Sequence, residues 1–383
     1  MKYLQDRHMD RQNNPDNAAP PRDPRIRETV WKDLKEGDLK RNIGQDLKDL
    51  YEFYVDSKTR ERLNSKGKFV RWLYAAWHIL KVGILRLTPA RRFILLLSLI
   101  LSVNQSVMFN TGDEHRLRIQ MQTNTVSYML LLLVLMAELK DKLLARDELE
   151  TGRRVQAALM PQKQPVIPGW DAWIYTRPAN DVGGDLVDYL DLKDCHGLAI
   201  GDVAGKGLCA ALLMSKLQAT IRALAPIDKD LSWLGRQLNS IFYRDCLPNR
   251  FSSLVFMQVY PGSGDIHFLN AGHLPPLLLN GGKVVELERG EPALGLMPEV
   301  QYRQQAVKLA TGDFILVYSD GLTDARNSRG EFFGEDRIKE LVRKFRNQTA
   351  EACGQMVLNA VKQFTSESRP EDDLSLIILR KKA

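Results

Sequence analysis

The sequence predicts an α+β fold for residues 163–383, preceded by a helical N-terminal region. Ten short apolar stretches occur after residue 169, and turn signals such as Gly262-Ser-Gly264 separate several of them by hairpin distances. Two stretches with helical spacing lie between these strands, and two more lie near the C-terminus. This order is typical of a sandwich of largely antiparallel sheets that is covered by helices.

The individual elements follow from apolar periodicity and from the turn residues that bound each stretch. The predicted strands are Ala172–Thr176, Leu186–Leu192, Gly197–Asp202, Ser253–Tyr260, Asp265–Asn270, Pro276–Leu279, Lys283–Leu287, Arg303–Leu309, Phe314–Ser319 and Leu374–Leu379. The predicted helices are Leu208–Leu224, Leu231–Cys246, Glu335–Phe345 and Thr349–Phe364.

Charge is distributed unevenly along the 383 residues, although the chain as a whole carries a formal charge of +7. Residues 1–92 hold 21 Lys/Arg against 13 Asp/Glu, so the rest of the chain is close to neutral. A neutral C-terminal part argues against a nucleic-acid-binding domain there. The basic excess lies beside the most apolar part of the chain, which favours contact with an anionic membrane surface.

The N-terminal third is predicted to be a disordered tail followed by helices. Residues 1–27 are polar and rich in Pro, Asn and Arg, and residues 28–92 have helical apolar spacing. From Lys66 to Arg92 there are seven Lys/Arg and no acidic residue, interleaved with aromatic side chains. This pattern indicates either an interfacial helix on lipid headgroups or an ordinary amphipathic helix packed on a neighbour.

Residues 93–138 contain two charge-free windows, Phe93–Gly112 and Ile119–Ala137, each about long enough to span a bilayer. Basic residues flank the pair, which predicts a two-span membrane hairpin with both ends in the cytoplasm, at the inner membrane. The alternative is a soluble cytoplasmic protein with a helical dimerisation domain at 66–138. Residues 139–162 have heptad-like spacing and many charges, which predicts a parallel coiled-coil linker and a homodimer.

The four cysteines, Cys195, Cys209, Cys246 and Cys353, are widely spaced and form no C-x-x-C pair. We interpret them as reduced thiols in a cytosolic compartment. The six histidines form no H-E-x-x-H pattern, so neither residue type predicts a zinc site.

Acidic residues beside glycine or at the ends of apolar strands are the main candidates for chemistry. They are Asp185, Asp202, Asp320, Asp372 and Asp373. Taken singly, each is a turn or capping residue. If they converge, their repulsion and desolvation require cations, and an all-oxygen ligand set selects Mg²⁺ or Mn²⁺. Two such ions could activate a water and polarise a phosphoryl oxygen.

Two further residues have both a functional and a structural interpretation. His273 lies in a turn before Pro275-Pro276. We interpret it as a residue that makes a structural hydrogen bond, in preference to a catalytic residue. Arg177 precedes the Gly-Gly-Asp motif and could bind the substrate phosphate, or could be an ordinary surface residue.

With these residues in view, the stretch from Glu148 to Arg380 resembles the SpoIIE/RsbU-type branch of the PPM metal-dependent serine/threonine phosphatases. The resemblance rests on motifs that occur in the family's order. They are Glu148 to Pro161, Pro178-Ala-Asn-Asp-Val-Gly-Gly-Asp185, Gly201-Asp-Val-Ala-Gly-Lys-Gly207 with Ala210-Ala-Leu-Leu-Met214, Asn270-Ala-Gly-His-Leu-Pro-Pro276, Gly312-Asp313, Ser319-Asp-Gly-Leu-Thr-Asp-Ala-Arg326, Phe333-Gly334 and Asp372-Asp-Leu-Ser375.

The resemblance implies an αββα sandwich with two Mn²⁺ or Mg²⁺ ions between its sheets. By position, Asp202 would bridge the ions and the backbone carbonyl of Val203 would ligate one of them. The ligands Asp185, Asp320 and Asp372 would complete the set, with Asp373 as the alternate to Asp372. Asp185 and Asp202 would also position the attacking water. One departure is Ala204, where relatives have a His proposed as general acid.

The function implied by the resemblance is hydrolysis of phosphoserine or phosphothreonine by metal-activated water. The implied substrate is a STAS-domain anti-sigma-factor antagonist. The alternative is a catalytically silent PPM-fold module that binds or sequesters a phosphoprotein. The four Asp residues expected to ligate the ions, which are present in this sequence, favour the enzyme.

Overall fold

The computed structural model describes residues 68–103, 107–109, 119–121, 123–246, 249–366 and 371–383. The chain divides into two compact units, Met1–Leu139 and Lys140–Ala383. The expected disordered tail at 1–27 and the expected helices over 28–65 lie outside the described residues.

The first unit is helical, with one small pair of strands. Its elements are α1 (Lys68–Arg86), α2 (Pro89–Val103), β1 (Val107–Phe109), β2 (Ile119–Met121) and the start of α3 (Thr123–Leu159). The two strands pair antiparallel, with Met108 opposite Gln120. Helix α3 includes both the end of the second charge-free window and most of the predicted linker.

Two polar contacts join α2 and α3 within this unit. The Ser127 hydroxyl donates to the Ser98 carbonyl at 2.6 Å, and both serines are buried. The Arg91 guanidinium donates to Glu138 at 2.7 Å. In contrast, large apolar side chains on both helices are exposed, among them Phe93 at 68% and Met129 at 67%.

The two predicted membrane spans are not confirmed. Helix α2 has 15 residues, which corresponds to about 22 Å at 1.5 Å per residue, less than the roughly 30 Å of a hydrocarbon core. The polar residues Asn104 and Gln105 follow its end, and each predicted window contains a β-strand. Among the described residues, no helix is both long enough and apolar enough to cross a membrane.

The second unit holds the strands and helices predicted from periodicity. Its strands are β3 (Trp170–Arg177), β4 (Asp185–Asp191), β5 (His196–Val203), β6 (Ser252–Val259), β7 (Asp265–Ala271), β8 (Leu277–Asn280), β9 (Lys283–Glu286), β10 (Gln305–Lys308), β11 (Phe314–Tyr318) and β12 (Leu374–Lys381). Its helices are α4 (Leu208–Leu224), α5 (Leu231–Asp245), the short α6 (Asp320–Thr323), α7 (Gly334–Arg343) and α8 (Ala350–Thr365).

These strands form two five-stranded antiparallel sheets that pack face to face. One sheet has the order β10-β7-β6-β5-β4 and the other β3-β12-β11-β8-β9. A central core of residues from both sheets, including Ile200 and Val317, lies between them. A second core joins the first sheet to α4 and α5, and a third joins the other sheet to α7 and α8. The unit is therefore a four-layered αββα sandwich.

Strand β11 contributes side chains to two cores, one on each face of its sheet. Phe314, Leu316 and Tyr318 contact the helix-covered core, whereas Ile315 and Val317 contact the core between the sheets. Successive side chains of a strand point to opposite faces, so a strand that is buried on both faces appears as an unbroken apolar run. The ten predicted strands and four predicted helices are confirmed, with small shifts at their ends.

Candidate active site

The candidate carboxylates lie at strand ends in both sheets. Asp185 begins β4 and stands opposite Asp202 of β5 in the antiparallel register. Asp320 follows β11, and Asp372 and Asp373 precede β12, its antiparallel neighbour in the other sheet. The fold therefore brings all five residues to one end of the sandwich.

Asp185 is the most deeply buried of the expected ligands, with 3% of its surface exposed. The Ser375 hydroxyl of β12 donates to its Oδ2 at 2.5 Å, which links the two sheets. Burial raises the pKa of Asp185 well above its usual range, and the charges of Asp202 and Asp373 raise it further. In the absence of a cation, the site therefore disfavours the charged form of this group.

Asp202 lies in the same electrostatic environment. Burial raises its pKa to about 7, and repulsion from Asp320, Asp372 and Asp373 adds to the shift. The backbone of Asp202 is held on β6: its N–H donates to the Ser253 hydroxyl at 3.2 Å, and its carbonyl accepts from Ser252 at 2.9 Å.

Asp320 and Asp372 are more accessible. Burial, and then the charge of Asp372, raises the pKa of Asp320 above its usual value. The Asp372 side chain is 43% exposed and forms an ion pair with the Lys206 ammonium at 3.1 Å. Lys206 belongs to the glycine-containing loop after β5, so this ion pair ties that loop to the start of β12.

Asp373 has a different role from its neighbour. Its Oδ1 accepts the Ala179 N–H at 2.7 Å, and its Oδ2 accepts the N–H groups of Gly184 at 2.6 Å and Asp185 at 3.3 Å. The residue is 7% exposed. Because three backbone donors occupy its two oxygens, Asp373 is placed to hold the Gly-Gly-Asp loop against the other sheet.

Gly184 and Gly205 allow neighbouring groups to pack directly against the backbone at this end of the sheet. A Cβ on Gly184 would lie 3.2 Å from the Val203 carbonyl and 3.3 Å from Asp202 Oδ1, so the backbone of Gly184 is packed against both expected ligands. Gly205 has a φ of 121°, a backbone conformation that residues other than glycine rarely adopt. The Arg250 guanidinium occupies the space beside Gly205 and donates to the Ala204 carbonyl at 2.7 Å.

His273 is a structural link under the site. Its Nδ1 accepts from the Ser253 hydroxyl at 2.8 Å, and its Nε2 donates to the Tyr318 carbonyl at 3.1 Å. Ser253 pairs with Asp202 across β5 and β6, and Tyr318 is two residues before Asp320. The imidazole therefore connects the two sheets beneath these carboxylates. Burial lowers its pKa to about 4, so it is a neutral link, in agreement with the structural interpretation.

Gln156, a residue that sequence reasoning missed, holds the Gly-Gly-Asp loop from the end of α3. Its amide nitrogen donates to the Gly183 carbonyl at 2.7 Å, and its amide oxygen accepts the Gly183 N–H at 3.1 Å. The side chain is buried. Its position in the predicted lead-in motif is the only sequence signal, since Gln156 and Gly183 are 27 residues apart.

The comparisons with known proteins agree with this geometry. The family model described as Stage II sporulation protein E (SpoIIE) matches residues 193–382. That match lies entirely within the second unit. Protein IcfG of Synechocystis sp. is 30% identical to this chain over 303 residues, which cover 70% of the chain and 46% of IcfG.

Phosphoserine phosphatase RsbU of Bacillus subtilis is 25% identical to this chain over 239 residues, covering 62% of the chain and 71% of RsbU. The SiaA-PP2C domain of Pseudomonas aeruginosa superposes with a TM-score of 0.56 at 21% identity. That match covers 63% of this chain and 98% of the domain, and it supports a PP2C-like fold. The chain spans less than half the length of IcfG.

The donor chemistry of the candidate site fits a hard divalent cation. The candidate ligands are all oxygens, and burial together with mutual repulsion raises the pKa of three of their carboxyl groups. Yet within the described residues no group of three or more His, Cys, Asp or Glu side chains is arranged to hold a metal ion.

The cavity beside Asp202 and Asp320 is lined by Arg289, and Arg177 is not among its lining residues. Arg177 is exposed at the end of β3, opposite Leu374 of β12. Arg289 carries no recognisable motif in the sequence, and the sequence analysis did not select it.

Proposed function

We propose that this chain is a metal-dependent protein serine/threonine phosphatase that hydrolyses phosphoserine or phosphothreonine on a signalling protein. The observation that carries the proposal is the placement of four strand-end carboxylates, on Asp185, Asp202, Asp320 and Asp372, at one end of a SpoIIE-family αββα sandwich. The name of RsbU, a phosphoserine phosphatase, supports the same chemistry.

In this proposal the four carboxylates and the Val203 carbonyl would hold two Mn²⁺ or Mg²⁺ ions, and Asp373 would position the loop. When bound, such ions supply an activated water and offset the charge on the phosphoryl oxygens. The chain itself orients the ligands: Ser375 fixes Asp185, and Ser252 with Ser253 fixes the backbone of Asp202. Ala204 has no side-chain proton to donate, so water or another group would have to protonate the leaving oxygen.

The test is turnover of p-nitrophenyl phosphate by the full chain with Mn²⁺, compared with Asp202→Ala. We expect the variant to lose at least about 100-fold in kcat, because removal of one charged ligand disables an electrostatic site. Asp336→Ala is the matched control, since it removes an exposed carboxylate on α7 and should keep wild-type rates. Equal rates for wild type and Asp202→Ala, or no turnover by either, would refute the enzyme.

The competing function, a silent PPM-fold module that sequesters a phosphoprotein, predicts binding without turnover. For the substrate we propose a phosphorylated STAS-domain protein. A phosphoprotein retained by Asp202→Ala and released as its dephosphorylated form by the wild type would support this substrate class. Retention of one phosphoprotein by both forms, with its phosphate intact, would favour the silent module.

We also propose that the first unit brings the domain to the cytoplasmic face of the inner membrane, and that α3 pairs with a second copy of itself. The buried Ser98–Ser127 hydrogen bond and the exposed apolar side chains around it support contact of α2 and α3 with lipid. The exposure of Leu139, Leu143, Leu144 and Val155 supports a coiled-coil dimer.

Flotation of the full chain with vesicles tests the membrane proposal. We expect co-flotation with vesicles that contain anionic phosphatidylglycerol and weaker binding to neutral vesicles, because residues 66–92 are basic. A chain that stays in the dense fraction with both vesicles would instead favour the soluble helical dimerisation domain. Sedimentation equilibrium of the full chain tests the dimer, and a monomer at micromolar concentration would exclude it.

A further inference from the structure

A cavity of about 420 Å³ opens beside the carboxylates. Asp202 and Asp320 lie on its wall together with His273, and Phe251 and Leu274 provide apolar surface. Among its lining residues in the described part of the chain, Arg289 is the only Lys or Arg. The cavity therefore combines two carboxylates of the candidate site with a single guanidinium.

The backbone on both sides of Arg289 is fixed. The Leu287 N–H donates to the Pro276 carbonyl at 2.9 Å, and the Glu291 N–H donates to the Asn270 carbonyl at 3.1 Å. Between them, Gly290 packs so closely that a Cβ would lie 1.8 Å from the same Asn270 carbonyl. Arg289 thus extends from an anchored segment, which reduces the entropy lost when its side chain binds a ligand.

The Arg289 guanidinium has no partner of its own. Within the described residues it makes no hydrogen bond and no ion pair, although it is exposed at the cavity. Arg303, which contacts the same segment, is instead bonded to Glu291 at 2.7 Å. An anchored, unpaired guanidinium beside carboxylates leaves five N–H donors for an anion.

We propose that Arg289 binds the phosphoryl group of the substrate in this cavity. The inference rests on the proposed function, since it concerns how that same site recognises a phosphomonoester. A planar guanidinium can donate two parallel hydrogen bonds to phosphoryl oxygens, and this geometry selects a phosphomonoester dianion over a neutral ester. Asp202 and Asp320 lie on the same wall, so a phosphoryl group held by Arg289 would lie next to the catalytic carboxylates.

Calorimetric titration of the full chain with inorganic phosphate in the presence of Mg²⁺ tests this binding directly. We expect Arg289→Ala to weaken the phosphate affinity at least about tenfold, because charge-assisted hydrogen bonds are lost. Arg289→Lys should recover part of the affinity, since it keeps the charge without the paired donors. Arg343→Ala, which removes an exposed guanidinium on α7 outside the cavity, is the control and should bind like the wild type.

Steady-state kinetics on p-nitrophenyl phosphate separate this proposal from the enzyme proposal. For an active wild type, Arg289→Ala should raise KM about tenfold and leave the Mn²⁺ concentration for half-maximal activity unchanged. Phosphate affinity within twofold of wild type for Arg289→Ala, or no phosphate binding by either form, overturns the inference. If the wild type is inactive but its phosphate binding still depends on Arg289, the enzyme proposal is refuted and the phosphate-binding proposal is supported.

Discussion

The neutral imidazole of His273 makes the stability of the domain depend on pH in a predictable direction. The side chain is 7% exposed and links Ser253 to the Tyr318 carbonyl, and burial lowers its pKa to about 4. In the unfolded chain the same group titrates near 6.5. Below pH 6.5 the unfolded state therefore gains a proton that the folded state does not take up, and stability falls as the pH decreases toward 4.

The size of this effect follows from the two pKa values. Between pH 7 and pH 5, His273 should lower the free energy of unfolding by about 2 kcal/mol, and by about 3 kcal/mol at pH 4. Below the folded pKa of about 4 the loss stops growing. Replacement of His273 by Gln removes this titrating group. Any other change in the free energy of unfolding that the Gln side chain causes should be the same at every pH.

Urea unfolding of the wild type and of His273→Gln in EDTA, at pH 7, 6 and 5, measures the effect. We expect the stability advantage of the wild type over the variant to shrink by about 2 kcal/mol from pH 7 to pH 5. The site carboxylates contribute equally to the pH dependence of both proteins, so their contributions cancel in the difference between wild type and variant. His267→Gln, at a half-buried position on β7, is the control and should follow the wild type. A constant difference between wild type and His273→Gln would refute the reasoning.

Three further outcomes follow from the contacts at the site. Gln156→Ala should lower kcat several-fold, because Gly183 loses both hydrogen bonds to the amide; Gln162→Ala, at an exposed position, is its kinetic control. Gly184→Ala should raise the Mn²⁺ concentration for half-maximal activity several-fold, because its Cβ would lie 3.3 Å from Asp202 Oδ1; unchanged activation would contradict this. In EDTA, the ionisation of Asp202, whose folded pKa is about 7, should lower the free energy of unfolding by up to about 4 kcal/mol as the pH rises from 4 to 8, opposite in sign to the effect of His273; urea unfolding should show Asp202→Asn gaining stability relative to the wild type over that range.

The sequence is most informative where a strand is buried on both faces. The strand predicted at Phe314–Ser319 is observed as β11, Phe314–Tyr318, one residue shorter. The strand predicted at Arg303–Leu309 is shorter in the structure, Gln305–Lys308, because it pairs only with the first four residues of β7. Register with a distant partner sets the ends of such edge strands, and periodicity carries no information about register.

The N-terminal unit shows the limit of composition-based reasoning. The apolar windows at 93–112 and 119–137 predicted two spans, but α2 ends at Val103 and each window contains a short strand. The exposure of the apolar side chains and the burial of Ser98 and Ser127 are tertiary properties. They depend on which faces of α2 and α3 meet, and hydropathy averaged over a window does not contain that information.

The acidic residues of the candidate site could be predicted from the sequence. The residues that hold them in place could not. Asp185 and Asp202 stood out because each is a carboxylate beside glycine at an apolar strand. Gln156 and Asp373 did not stand out as supports, because their bonds to Gly183 and Ala179 join residues 27 and 194 positions apart. Contacts over such separations depend on the assembled sheets rather than on any local pattern.

The adjacent pair Asp372–Asp373 explains why the site needs both kinds of carboxylate. Asp373 accepts three backbone N–H groups, so its charge is already compensated by the protein, and it can fix the loop in the absence of an ion. Asp185 and Asp202 have raised pKa values, chiefly because they are buried and also because neighbouring Asp side chains repel their charge. The loop is thus held without an ion, whereas the charged forms of Asp185 and Asp202 would be favoured by a divalent cation bound beside them.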